Sequence, residues 1–270
     1  MEFDPANKFH YGYQMMLKEV DGQFSEIMSG LERQGILDKS LIFLVSDHGE
    51  GFMLEEDALK GGVPGLEFPT NAHGHGTSVL DEVQYHVVLA VQNRTSSFAP
   101  ARSDVVASLL DVAPTVFDVL GEDDQKAIYP GESLFKLSEC EDCSERQVFI
   151  ESSVATNAMF EKDLDIMKVI AEGVGHYTVD KDGLAIVRPE LMAMLSFKQR
   201  AVVSKDYVVA HFPGLERDFL IVDRKSSIWW PSSQYGGGEP QKVLELMRNL
   251  CLYFKGDNGF DKNNLCAGAG

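Results

Sequence analysis

The sequence predicts an α/β protein: part of a mostly parallel sheet flanked by helices, then a small antiparallel sheet with a C-terminal helix. Three observations point there. Leu41 to Val45 is an unbroken apolar run that stops at Asp47-His48-Gly49, as a strand buried on both faces does. Ahead of it, Tyr13, Met16, Val20, Phe24, Ile27 and Leu31 recur at helical spacing, the stripe of an amphipathic helix. Beyond residue 146, short alternating runs are separated by turn residues such as Asp182-Gly183 and Pro213-Gly214, the pattern of antiparallel strands.

The first helix runs from about Tyr11 to Arg33, with Gly35 as its stop. A second apolar run, His86 to Val91, is consistent with a neighbouring parallel strand. Residues 51 to 72 carry Gly61-Gly62-Val63-Pro64-Gly65 and read as a loop, either a lid over a site or plain surface. Residues 103 to 121 read as a helix restarted at Pro114 and stopped by Gly121, its Leu/Val/Phe stripe packing on the sheet. Strands are expected at Val148–Glu151, His176–Val179, Leu184–Val187, within Ala201–Val209 and at Asp218–Val222, with a closing helix over 239–254. This divides the chain into an α/β part, 1–145, and a small antiparallel part, 146–270.

A net charge of −18 and a pI near 4.7 exclude a nucleic-acid partner, which demands a basic surface. No apolar stretch approaches the roughly 18 to 20 residues of a membrane span, and Met1-Glu2-Phe3-Asp4-Pro5 has neither the basic flank nor the apolar core of a signal peptide. Cys140 and Cys143 form a lone C-x-x-C in an acidic loop, read as a local disulfide or two free thiols. Asn93-Arg94-Thr95 fits a glycosylation acceptor, relevant only to a secreted chain.

In open α/β sheets chemistry gathers beyond the carboxyl ends of the strands, which puts Asp47 and His48 where a ligand would sit. Both side chains are competent metal ligands. Taken alone, the pair serves equally as a cap and a loop hydrogen bond. The next half-motif, His73-Gly74-His75-Gly76-Thr77-Ser78, adds two imidazoles between glycines.

Together, Ser46-Asp47-His48-Gly49-Glu50, His75-Gly76-Thr77-Ser78-Val79-Leu80-Asp81-Glu82 and His86-Val87-Val88-Leu89 resemble the sulfatases of the alkaline phosphatase superfamily, with Val88 where a proline is usual. Asp104-Val105 to Gly121 and Gly131-Glu132-Ser133-Leu134 resemble further segments of that family. The resemblance implies an alkaline-phosphatase-like sheet and a small anionic ester as substrate. It implies a divalent metal ion on Asp47 and His48: calcium by family, with manganese or zinc suited to the histidine. His75, and less closely His73, would act opposite the metal as a second ligand, oxyanion donor or proton donor. Asp21 matches an acidic position on the preceding helix and reads equally as a solvated carboxylate.

No C-x-P-S-R, S-x-P-S-R or D-D-L motif occurs in the 270 residues, so the family's nucleophile is not in this chain. The expectation is therefore the C-terminal portion of a sulfatase-like hydrolase of sulfate esters, with an exposed sheet edge. Two alternatives stand beside it: a truncated phosphodiesterase or phosphoglycerol-transferase relative, and a non-catalytic metal-binding or interaction module.

Overall fold

The computed structural model describes residues 7–66, 73–95, 102–122, 128–154, 156, 158, 165–212, 218–257, 260 and 266. Along the chain lie α1 (Lys8–Arg33), β1 (Leu41–Val45), β2 (Gly51–Phe52), β3 (Lys60–Gly61), β4 (His73–Gly74), α2 (Glu82–Tyr85) and β5 (Leu89–Asn93). They are followed by α3 (Val112–Leu120), α4 (Leu134–Glu139), β6 (Val148–Glu151), α5 (Ile166–Gly175), β7 (Tyr177–Val179) and β8 (Ala185–Val187). The last elements are β9 (Arg200–Val203), β10 (Tyr207–His211), β11 (Phe219–Asp223), β12 (Ile228–Pro231) and α6 (Pro240–Tyr253).

The α/β class holds, and so do the antiparallel sheet and the closing helix. The mostly parallel sheet does not. β1 pairs antiparallel with β5, Val45 opposite Leu89 and Leu41 opposite Asn93, as a two-stranded sheet. The reason is the connection. The chain leaves the end of β1 and returns to that same end, where Ser46 N donates to Val88 O at 3.1 Å and Val88 N to Ser46 Oγ at 2.9 Å. A parallel pair needs a crossover to the opposite end. Burial of β1 on both faces fails as well, since Leu44 and Val45 are 44% and 47% exposed. An apolar run states what a strand can bury, and the chain must still supply a cover.

The core is the second sheet, ordered β3-β12-β11-β10-β9-β6, with every pairing antiparallel except β12 with β3. The run Ala201–Val209 is two strands, reversed at Lys205-Asp206 where Ser204 N donates to Tyr207 O at 2.9 Å. Because side chains alternate across a strand, the central strands divide cleanly. Ala201, Val203, Val208, Ala210, Leu220, Val222 and Trp229 face Val79 and Leu80. Val202, Tyr207, Val209, Phe219 and Ile221 face Val243, Leu246, Leu250 and Phe254 of α6 and its end. Val79 and Leu80 are 2% and 1% exposed, and such burial contributes roughly 1.5–3 kcal/mol per side chain. The sheet is thus covered by a helix on one side and, on the other, by the segment that follows His75.

Several expectations shift in detail. α1 starts earlier than its apolar pattern because Asn7 caps it, accepting from His10 N at 3.1 Å. None of its residues is buried, and Met16 is 67% exposed. α3 begins at Val112, behind a capping box of Ser108 and Asp111, and its partner is α4: Leu134 N donates to Thr115 Oγ1 at 2.9 Å. β7 and β8 form a separate hairpin. The stretch from Gly51 is no free lid. β3 joins the sheet edge, and Gly62 lies so close to Trp230 that a Cβ would meet its indole nitrogen at 2.0 Å. Residues 67–72 of that stretch lie outside the described ones. No helix among the described residues is long and apolar enough to cross a membrane.

Cys140 is bonded to Cys143, and Cys251, on α6, to Cys266. The second closes a loop of sequence separation 15, for which the chain-entropy argument gives about 3 kcal/mol. A Cys251→Ala/Cys266→Ala protein is expected to lose about that much stability in urea. An unchanged midpoint would show that the bridge constrains nothing.

Candidate functional site

β1 ends where the backbone must pass close beneath α2. Gly49 N donates to Gln84 O at 3.0 Å, and a Cβ on Gly49 would meet Val83 O at 2.1 Å. Only glycine fits between the two. The turn leaves His48 beside Asp47, with His48 N donating to Asp47 Oδ1 at 3.1 Å.

The ring of His48 is locked by its neighbour. Its Nδ1 lies 2.6 Å from Gly49 O. A carbonyl only accepts, so Nδ1 carries a proton and Nε2 is the nitrogen open to a further partner. That Nε2 lies 3.6 Å from Asp47 Oδ1. Either a proton or a metal ion on Nε2 would draw ring and carboxylate together. The spacing suits an ion about 2.1 Å from each ligand. Asp47 is 90% exposed and His48 39%, so the pair opens to solvent.

The second loop arrives by a different route. Gly74 and Gly76 have φ of +74° and +69°, left-handed positions where glycine is at ease, and they throw His75 outward. Gly76 O accepts from Ser153 N at 2.7 Å and from Ser153 Oγ at 2.8 Å. Gln84, 2% exposed, then fastens the loop: its Oε1 accepts from Thr77 N, Thr77 Oγ1 and Ser78 N, each at 3.0 Å. Gln199 Nε2 donates to Thr77 O at 2.8 Å, and its Oε1 accepts from Val79 N at 3.1 Å. The same Gln84 therefore holds Gly49 through its carbonyl and Thr77-Ser78 through its side chain.

α2 is in turn tied to the sheet. Arg224 Nε meets Glu82 Oε2 at 3.1 Å, and Arg224 Nη1 donates to Ser204 O at 2.8 Å. Burial pulls the Arg224 guanidinium down, but the hydrogen bond and charge of Glu82 outweigh it and hold the group above its ordinary value. Burial, then the Glu82 charge, pushes the Tyr85 phenol upward; the hydroxyl stays neutral.

The outcome is a meeting of the two loops. The imidazoles of His48 and His75 stack with centroids 3.5 Å apart and planes inclined by 18°. His75 Nδ1 lies 2.8 Å from Glu50 Oε2. Ligand atoms of His48, Glu50 and His75 all lie within 4.8 Å of one another, the spacing of a metal centre. Of the residues expected from the sequence, His48 and His75 come together. Asp47 stands beside His48 but outside that trio. The backbone of His73 lies on β4, opposite Phe52, and its side chain is not among those described. Asp21 is exposed on α1, and His86, exposed at 75%, sits 3.9 Å from Glu82.

Glu50 and Gln84 were not legible as site residues. β2 pairs with β4 antiparallel, Gly51 opposite Gly74, so the residues flanking that pair, Glu50 and His75, are opposite each other too. A ladder this short has no alternation to read.

Residues 4–122 match the sulfatase family model. The matched segment carries both histidine loops, α2 and β5. No curated protein matches the chain. Among solved structures, it is similar to a phosphonate monoester hydrolase from Silicibacter pomeroyi, at 16% identity and a TM-score of 0.48, covering 91% of this chain and 40% of that one. It is also similar to the phosphonate monoester hydrolase of Agrobacterium radiobacter, at 21% identity and a TM-score of 0.41, covering 78% of this chain and 34% of that one. The chain thus spans less than half the length of either.

Replacing Gln84 by leucine removes the acceptor of two backbone donors in a buried place. Each donor left unsatisfied costs about 1–3 kcal/mol, so Gln84→Leu is expected to lower stability by about 2–6 kcal/mol in a urea titration. A loss near zero would mean that Thr77 and Ser78 are held by something else.

Proposed function

We propose that this chain carries the metal-binding and leaving-group side of a sulfatase-like hydrolase of sulfate esters, working with a nucleophile that its 270 residues do not contain. The observation that carries the reading is His48. Its Nδ1 lies 2.6 Å from Gly49 O and its Nε2 3.6 Å from Asp47 Oδ1, which brings two ligand-type atoms together inside the segment that matches the sulfatase family model.

Asp47 and His48 would hold a divalent ion, calcium by family or manganese or zinc by the chemistry of an imidazole donor. When bound, such an ion supplies a Lewis acid for a non-bridging oxygen of the ester. His75, its Nδ1 held by Glu50, would stand opposite the ion as the proton donor to the departing ester oxygen. His73, close by on β4, is the second candidate for contact with that oxygen. The acidic surface opposes an anionic ester, so a small one binds only where the ion and the imidazoles invert the local potential.

A phosphodiesterase or phosphoglycerol-transferase type of relative is the second reading, because a histidine at position 48 suits that class as well as the sulfatases. Both readings require the same ion site, and a choice of aryl sulfate or aryl phosphodiester substrate separates them once a nucleophile is present.

Metal binding is tested first, by calorimetric titration of the chain with zinc and then manganese and calcium. One zinc equivalent is expected, weakened at least about tenfold in Asp47→Ala and in His48→Ala, as loss of one of few ligands dictates. Equal affinity in wild type and variants would contradict the site, and absence of binding would favour a plain interaction module.

A further inference from the structure

The trio of His48, Glu50 and His75 has the spacing of a three-ligand metal site, but not its orientations. An imidazole lone pair lies in the plane of its ring. Two rings 3.5 Å apart and inclined by only 18° hold their lone pairs in nearly parallel planes, which do not converge on one ion. Glu50 is also already engaged, its Oε2 accepting the Nδ1 proton of His75 at 2.8 Å. Its carboxylate is half-buried at 27% exposure, beside a more exposed ring at 50%. The antiparallel register of Gly51 with Gly74 fixes the two residues opposite each other.

We infer that Glu50 is the positioning residue of His75: its carboxylate holds the ring proton on Nδ1 and turns Nε2 toward the ester, without itself binding the metal. This deepens the reading of His75 given above and rests on it for the ester, though not for the ring's tautomer. The logic is that of any acid–base histidine whose far nitrogen is held by a carboxylate. Free neutral imidazole of histidine favours the proton on Nε2. Without Glu50, therefore, the ring would present the wrong nitrogen chemistry to a ligand. Glutamine at this position keeps an oxygen that can accept from Nδ1, whereas alanine keeps nothing.

The test uses the whole chain with nitrogen-15-labelled histidine, read by NMR at a pH where the imidazoles are neutral, beside zinc calorimetry. The expected result is a His75 ring protonated on Nδ1 in the wild type and in Glu50→Gln, and on Nε2 in Glu50→Ala. Zinc affinity is expected to change less than about threefold in either variant, against the 10–100-fold typical of losing a group that supports a ligand. Zinc binding lost in both variants would make Glu50 a ligand and overturn the inference. So would a tautomer unmoved by Glu50→Ala, the folded state being checked by circular dichroism. Glu50→Gln, nearly isosteric, keeps the test decisive if the alanine variant does not fold. Failure of the wild type to bind zinc would instead sink the metal reading and leave the tautomer result standing.

Discussion

The arrangement depends on one buried amide. Gln84 donates nothing to the chemistry, yet its carbonyl receives Gly49 N and its side-chain oxygen receives three donors from Thr77 and Ser78. It lies between two loops that are far apart in sequence and each carry a histidine. A side chain in this place works because it is enclosed. Buried donors left without an acceptor cost far more than the same donors facing water, so the loops have one favourable arrangement. The amide in turn is fixed by α2, and α2 by the Arg224–Glu82 pair and by Val79 and Leu80 against the sheet. The sheet's rigidity is transmitted to the histidines through this chain of contacts.

The division of labour follows from that. The C-terminal sheet and α6 supply the apolar burial. Their central strands are buried on both faces, and Arg200, 3% exposed, is met by Asp257 at 3.2 Å and flanked by the rings of Phe254 and Phe260. The N-terminal portion supplies the polar atoms, on turns that buried elements hold in place. α1 and β1 bury little by comparison. Sites on turns are precise only where a rigid support reaches them, and here Ser153, Gln199 and Gln84 are that support.

Much of this was legible in the sequence, and the failures have physical reasons. The apolar run ending in Asp47-His48-Gly49 located the first loop because a strand end, two side chains of ligand type and a glycine coincide there. The alternating runs after residue 146 located the second sheet because period-two patterning is strong wherever a strand has two distinct faces. Strand direction was not legible: the parallel reading of β1 and β5 failed because composition fixes burial potential, whereas direction is fixed by where the intervening chain returns. Glu50 was hidden in plain view, quoted within Ser46–Glu50 but given no role, since its partner is chosen by the two-residue register of β2 on β4. Gln84 was hidden for a different reason, because a polar residue before a strand looks like surface until the loops close over it.

The central claim is that one imidazole, His48, and the Asp47 carboxylate take the ion while His75 stays outside its coordination sphere, held off by Glu50. Zinc-edge X-ray absorption on the chain loaded with one equivalent of zinc counts imidazole ligands directly. A single imidazole shell accompanied by oxygen ligands is the result this account requires. Two imidazole shells would show that His48 and His75 swing together onto one ion, and would contradict it.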